Sequence, residues 1–253
     1  MRIVPLGDDT IEVFYRTIRD DPVKFHYFIH DWTHERERSR IMLALDGDEI
    51  HGMILGYQDR LYQLRSPPEI AYPLVKAIGF SKGIAYVPEN CVAAFEEFDI
   101  HEIRPVVRML LMRGEEHLRN ISKVVRLDES DSDAIWKLFT EADPPEWGGM
   151  EPSRAVELAK EMIWLGVRED GELVAAGCCR PTEMGSDIQL LATAPAHRRR
   201  GYGTSVVSAL VKEILARGPR ALIHVYADNL PARKVYESIG FRPYLDLVSV
   251  KCR

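Results

Sequence analysis

At 253 residues, 46% hydrophobic and 28% charged, the chain has ample apolar material for a packed core and lies far from the compositions that stay disordered. The net charge of −6 divides into 15 basic against 20 acidic residues over 1–120 and 18 against 19 over 121–253. Neither half has the basic excess of a nucleic-acid binder, so no nucleic-acid partner is expected. The longest apolar runs, such as Val174 to Cys179, fall far short of the roughly 18 residues that span a bilayer, and Met1-Arg2-Ile3-Val4-Pro5 opens no signal-like stretch. No membrane partner is expected. Four cysteines, at 91, 178, 179 and 252, offer neither a disulfide framework nor CxxC spacing, which points to a reduced, cytoplasmic protein.

The chain repeats itself once. Arg2 to Leu6 and Lys123 to Leu127 read as strands, each followed by an acidic turn, Gly7-Asp8-Asp9 and Asp128-Glu129-Ser130. Helical spacing comes next in both, with Phe14, Tyr15 and Ile18 lying over Ile135, Trp136 and Phe139, and both helices run out near Asp21-Pro22 and Asp143-Pro144. Ile41 to Leu45 turns through Asp46-Gly47 into Ile50 to Gly56; Ile163 to Val167 turns through Asp170-Gly171 into Leu173 to Cys179. Asp-Gly between alternating runs is a hairpin signal. The period of about 120 residues is domain-sized rather than solenoid-sized. We therefore read two related domains, 1–120 and 121–253, with a boundary near Glu115 to Ser122, after an apolar helix-like stretch from Val106 to Met112.

The chemistry concentrates in the second half. The strand Asp187 to Thr193 runs through Ala194-Pro195-Ala196 into His197-Arg198-Arg199-Arg200-Gly201-Tyr202-Gly203-Thr204, and helical periodicity begins at once with Val206, Val207, Leu210, Val211, Ile214 and Leu215. Arg217-Gly218-Pro219 closes that helix as a basic last turn, Gly and Pro should. A basic glycine loop opening a helix suits a phosphate: free amides and the positive helix end face the anion, and glycine lets the backbone approach. The same loop also reads as a basic turn with glycines for tight packing. It matches neither GxxxxGK[ST] nor GxGxxG.

The order strand, Arg198-x-x-Gly201-x-Gly203, helix, strand Ala221 to Tyr226, then Asn229-x-x-Ala232-x-x-x-Tyr236-x-x-x-Gly240-Phe241 resembles the GCN5-related N-acetyltransferase (GNAT) superfamily over residues 123–253. The resemblance implies an α/β (α+β) protein of two tandem GNAT folds, each a mixed, mostly antiparallel sheet flanked by helices. It implies that Arg198, Arg199, Arg200, Gly201, Tyr202, Gly203 and Thr204 wrap the pyrophosphate of acetyl-coenzyme A. Leu190, Leu191, Ala192 and Thr193 would pair with the pantetheine arm, and the Leu191 amide would hold the thioester oxygen. Tyr236 matches the family's general acid, although an aromatic on a buried helix face explains it too. Asp187 stands where one branch carries a glutamate base, with Glu183 in reserve; a strand-opening Asp is also an ordinary solvated residue. Asn229, with Ala232 after it, matches a residue contacting pantetheine or phosphate, though an Asp-Asn turn needs no function.

The first half has no Arg-x-x-Gly-x-Gly before a helix. After Gln63 come Ser66-Pro67-Pro68 and a helix-like run from Glu69 to Ile78. It reads as a degenerate copy without coenzyme, serving either to shape the acceptor cleft or to cover the open sheet of the other domain. His26, His30 and His34 recur every four residues on a predicted helix, but their eight-residue span is more than two turns, too long for three imidazoles of one helix to reach one ion, and no metal is expected. The expected activity is transfer of an acetyl group from acetyl-coenzyme A to a primary amine by direct attack. The alternatives are a longer acyl group and a module that senses acyl-coenzyme A without catalysis. Acceptor identity and oligomeric state stay open.

Overall fold

The computed structural model describes residues 1–147 and 151–253. The first half builds β1 (Arg2–Pro5), α1 (Ile11–Ile18), α2 (His26–His34), β2 (Ser39–Asp46), β3 (Glu49–Tyr57), β4 (Leu61–Arg65), α3 (Pro68–Ala77), β5 (Gly83–Val87) and β6 (Ile100–Met112). The second builds β7 (Val125–Leu127), α4 (Ser132–Ala142), α5 (Pro144–Trp147), α6 (Pro152–Glu161), β8 (Ile163–Glu169), β9 (Glu172–Cys179), β10 (Ser186–Thr193), α7 (Tyr202–Arg217), β11 (Arg220–Tyr226), α8 (Leu230–Ile239) and β12 (Arg242–Cys252).

These elements form two compact units, Met1–Val107 with Leu245–Arg253, and Arg108–Tyr244. In the first unit the strand order is β1-β2-β3-β4-β5-β12. All its pairs are antiparallel except β4–β5, which is parallel for three residues, Leu61↔Ile84 to Gln63↔Tyr86. The end of β12 closes this sheet, Val248 to Cys252 running against Val87 to Gly83. Strand alternation sorts the β2–β3 hairpin onto two cores. Ile41, Leu43, Leu45, Met53 and Leu55 meet Phe14, Ile18 and Phe28 of α1 and α2 on one face. Ala44 and Ile54 meet Leu74 and Val75 of α3 on the other.

The second unit repeats the arrangement. Its strand order is β6-β11-β10-β9-β8-β7, antiparallel across β7–β8–β9–β10 and parallel across β10–β11 for three residues, Ser186↔Ala221 to Ile188↔Ile223. Asp128 caps the segment before α4 by accepting from the Ser130 amide, while the Asp131 carboxylate accepts from the Asp128 amide. Ile135, Leu138 and Phe139 of α4 then pack on Leu127, Trp164, Ala176 and Cys178. On the opposite face, α7 buries Val206, Val207, Leu210, Val211 and Ile214 completely.

The stretch from Val106 to Met112, expected as helix-like, is instead the end of strand β6. A continuous apolar run fits a doubly buried strand as well as a helix. Here Pro105 and the β-branched pair Val106-Val107 favour the extended form.

The start of the parallel pair β10–β11 is a close backbone approach that needs glycine at 185 and 218. Gly185, at φ +99°, lies so close to Arg220 that a Cβ would stand 2.1 Å from the Arg220 carbonyl oxygen. Gly185→Ala is therefore expected to destabilise the protein by about 3 kcal/mol, through both positive φ and the backbone clash. Chemical denaturation of the two proteins checks it; a loss below about 1 kcal/mol would show that the loop shifts freely.

Candidate functional site

The second unit opens a gap where β10 parts from β11. Parallel pairing stops at Ile188↔Ile223, and a bulge between Ile188 and Leu190 turns the rest of β10 away while it stays paired with β9. The Ala194 amide donates to the Val174 carbonyl of β9, 2.9 Å away. By period-two alternation the Ala192 amide also faces β9, and the amides of Leu191 and Thr193 face the parted edge. Leu191 and Thr193 are half-buried and Ala192 is buried.

Beyond Thr193 the chain makes one turn of 3-10 helix, Pro195–His197. It enters α7 through Gly201 at φ 84°, which has no side chain to cap the helix. The Ser205 amide reaches back to the Gly201 carbonyl at 3.0 Å. The amides of Tyr202, Gly203 and Thr204 have no acceptor among the described residues. Three convergent N–H groups at the positive end of a sixteen-residue helix are a cradle for an anion. A Cβ at Gly203 would meet only Thr193 Oγ1, at 3.2 Å, so the floor of the cradle is open backbone.

The three arginines of the loop do different work. Arg198 points back into the protein, its Nη2 donating to the Ala142 carbonyl at 2.7 Å and its Nε to the Thr193 carbonyl at 3.3 Å, so it closes the C-terminus of α4. Arg200 pairs with Glu169 at 3.1 Å, and His197 Nε2 stands 3.3 Å from the same carboxylate oxygen. The neighbouring Glu169 carboxylate holds the Tyr202 phenol above its ordinary range. Arg199 is exposed and sits at φ 63°. Among the described residues it has no ion-pair partner, and its guanidinium is free for a ligand.

Tyr236 lies on α8, 6% exposed, with its ring 6.1 Å from that of Phe241. Burial alone pushes its hydroxyl up to about 12. Asn229 caps α8 by accepting from the Ala232 amide at 3.2 Å; its side-chain NH2 is not used by that bond. Asp187 is half-buried within the closed part of the parallel pair, opposite Leu222. It stands four residues before Leu191, roughly 13 Å at about 3.3 Å per residue. Glu183 lies in the turn before β10.

Burial drives both thiols of β9 out of the reactive range, Cys179 to about 12 and Cys178 well above its ordinary value, with Asp187 adding to both shifts. Sequence reasoning missed Glu169, His197 and the Ala142 carbonyl. Glu169 ends β8 at the hairpin turn, and nothing in its spelling ties it to a loop thirty residues on. It also missed Arg108, fully buried, which donates from Nε to His224 Nε2 at 3.0 Å. No cluster of three or more metal-ligating side chains occurs among the described residues. No helix of the described chain is long and apolar enough to cross a membrane.

The first unit has a cleft of about 430 Å³ at the corresponding corner, lined among others by Lys24, Arg65, Ser66, Pro67 and Asp246. Its helix α3 opens with Pro67 and Pro68. Neither has an N–H, so the corner offers fewer donors than the Gly201 turn.

Residues 164–250 match the family described as FR47-like protein. A [ribosomal protein bS18]-alanine N-acetyltransferase of Haemophilus ducreyi is 31% identical over 78 residues, covering 30% of this chain and 54% of that protein. The chain thus spans about half the length of this curated relative. Among solved structures, a Drosophila protein superposes with a TM-score of 0.75 at 15% identity, covering 99% of this chain and 98% of that one. An acetyltransferase of the GNAT family from Colwellia psychrerythraea gives 0.58 at 15% identity over the full length of both chains. A tandem GNAT protein from the clavulanic acid biosynthesis pathway gives 0.57 at 12% identity, over 98% of this chain and 97% of that one. At such identities the structures speak for the fold. That fold is the one shared by the GNAT-family structures named above, and the sequence match to the FR47-like family is confined to residues 164–250.

Proposed function

We propose that the second unit is an N-acetyltransferase that moves an acetyl group from acetyl-coenzyme A to a primary amine by direct attack. The observation that carries this reading is the parting of β10 from β11 beside an uncapped helix N-terminus. Unpaired strand amides then stand next to unpaired helix amides, matching a ligand with an amide-bearing arm at one end and phosphates at the other. The family match over 164–250 and the amine-acetylating H. ducreyi relative support the same chemistry.

In this reading the Tyr202, Gly203 and Thr204 amides, with Arg199, hold the pyrophosphate, and the Thr193 amide and Asn229 side chain steady the pantetheine arm. The Leu191 amide donates to the oxygen on which charge develops as the amine nitrogen attacks the thioester carbon, a type of interaction worth a few kcal/mol. The carbon–sulfur bond then breaks, and Tyr236 faces the departing sulfur as a hydrogen-bond donor. An alkylammonium has a pKa near 10.4, so a proton must leave it before attack. Asp187 is too far along the strand to take it directly and serves through water. The protonated state of Cys178 and Cys179 supports direct transfer over an acyl-cysteine route.

Calorimetric titration with acetyl-coenzyme A, followed by thiol release against a panel of amines, tests the reading. Binding without release on any amine favours the sensing module, and absence of binding overturns the site. Gly203→Glu is expected to abolish binding, because it puts a carboxylate where phosphate belongs; unchanged affinity would refute the placement.

Tyr236→Phe is expected to lower kcat about a hundredfold while leaving the dissociation constant of acetyl-coenzyme A nearly unchanged. Because the phenol is raised to about 12, it stays protonated below that value, and the wild-type rate should show no alkaline loss attributable to this group below about pH 11. A full-rate Phe variant would remove Tyr236 from the mechanism.

A further inference from the structure

Two side chains of one short loop, and a third at the start of α7, gather at one carboxylate that the proposed chemistry does not use. Glu169, at the end of β8, meets Arg200 Nη1 at 3.1 Å and His197 Nε2 at 3.3 Å, and raises the pKa of the Tyr202 phenol beside it. Between two of these anchors lies Arg199 at φ 63°, a backbone conformation that L residues with long side chains rarely adopt. On its other side Arg198 is tied to the Ala142 and Thr193 carbonyls. The left-handed residue is thus pinned from both neighbours, and the next left-handed residue, Gly201, aims the first-turn amides of α7.

We infer that Glu169 is a positioning residue that clamps the 197–202 loop in the strained conformation its amide cradle requires. The inference rests on the reading of that cradle as the coenzyme site. Glu169 touches no ligand in this scheme. Its carboxylate holds the loop through a charge-assisted hydrogen bond from Arg200, with His197 Nε2 and the Tyr202 phenol gathered at the same group, so the amides converge before a ligand arrives. A carboxylate beside a phosphate site has an alternative role, that of a resident anion competing for Arg200. The two roles predict opposite signs: loss of a clamp weakens anion binding, and loss of a competitor strengthens it.

The test uses the full chain as Glu169→Ala, with Glu169→Gln as the variant of unchanged size, and two readouts. Titration with acetyl-coenzyme A is expected to show affinity about tenfold weaker in Glu169→Ala, about 1.4 kcal/mol, with the loss in KM for acetyl-coenzyme A rather than in kcat. Limited trypsin digestion without ligand, with fragments identified by mass, is expected to show faster cleavage after Arg198, Arg199 or Arg200 at an unchanged melting temperature. Unchanged or tighter binding overturns the clamp, as does unchanged cleavage. If the wild-type protein itself fails to bind acetyl-coenzyme A, the coenzyme reading fails, and the digestion alone then decides whether Glu169 fixes the loop.

Discussion

The site in the second unit depends on how short its parallel strand pair is. Three residue pairs hold β10 to β11, and then the two part. Backbone amides inside a sheet are ordinarily consumed by the neighbouring strand, and an unpaired row of them is a demand for some other partner. The bulge after Ile188 keeps β10 on β9 while releasing its far edge, so Leu191 and Thr193 present donors without the sheet coming apart. The first unit has the same three-residue parallel pair between β4 and β5. The chain leaves the pair differently in the two units, through Ser66-Pro67-Pro68 in the first and through Arg200-Gly201 in the second. One topology thus leads to a donor-poor corner in one unit and a donor-rich corner in the other.

Charge is a poorer guide to that corner than geometry. Counted from the sequence, Arg198, Arg199 and Arg200 put three positive charges at the loop. In the structure Arg198 closes a helix end and Arg200 is committed to Glu169. In the proposed site, anion binding would therefore come chiefly from amides whose direction is set by two left-handed residues, with Arg199 as the remaining free cation among the described residues of the loop. Fixed dipoles need no reorganisation when a ligand binds, whereas a long exposed arginine must give up rotamer freedom.

Much of this was legible in the sequence, and the rest was hidden for a physical reason. Asp46-Gly47 and Asp170-Gly171 marked both hairpins, because turn chemistry is local. The stripe from Val206 to Leu215 marked α7, because one amphipathic period is enough to orient a helix. The run from Val106 to Met112 misled, because a strand buried on both faces loses the alternation that identifies it. Pairing of the chain's last residues with β5 left no mark either, since register between distant strands is set by packing and not by neighbouring residues. Glu169 was invisible on the same ground: its three partners lie 28 to 33 positions away, across a hairpin and a strand. The positions of Tyr236 and Asn229 came from motif spacing, but Asn229's capping of α8 and the burial of Tyr236 needed the fold.

Burial of Tyr236 bears on how a proton reaches sulfur under the proposed chemistry. A phenol at about 12 is a weaker acid than a thiol at about 8.5, so complete transfer to a free thiolate runs uphill. Sulfur in the transition state is different, because its proton affinity rises from that of a thioester as the bond to carbon stretches. A donor that never ionises in the working range keeps its hydrogen bond aimed at sulfur throughout, and in a partly desolvated site that bond is stronger than in water. The same burial that weakens the phenol as an acid keeps it a permanent donor. In this scheme Tyr236 contributes by stabilising developing negative charge on sulfur, and the full proton reaches the thiolate later, from the ammonium formed by attack or from water.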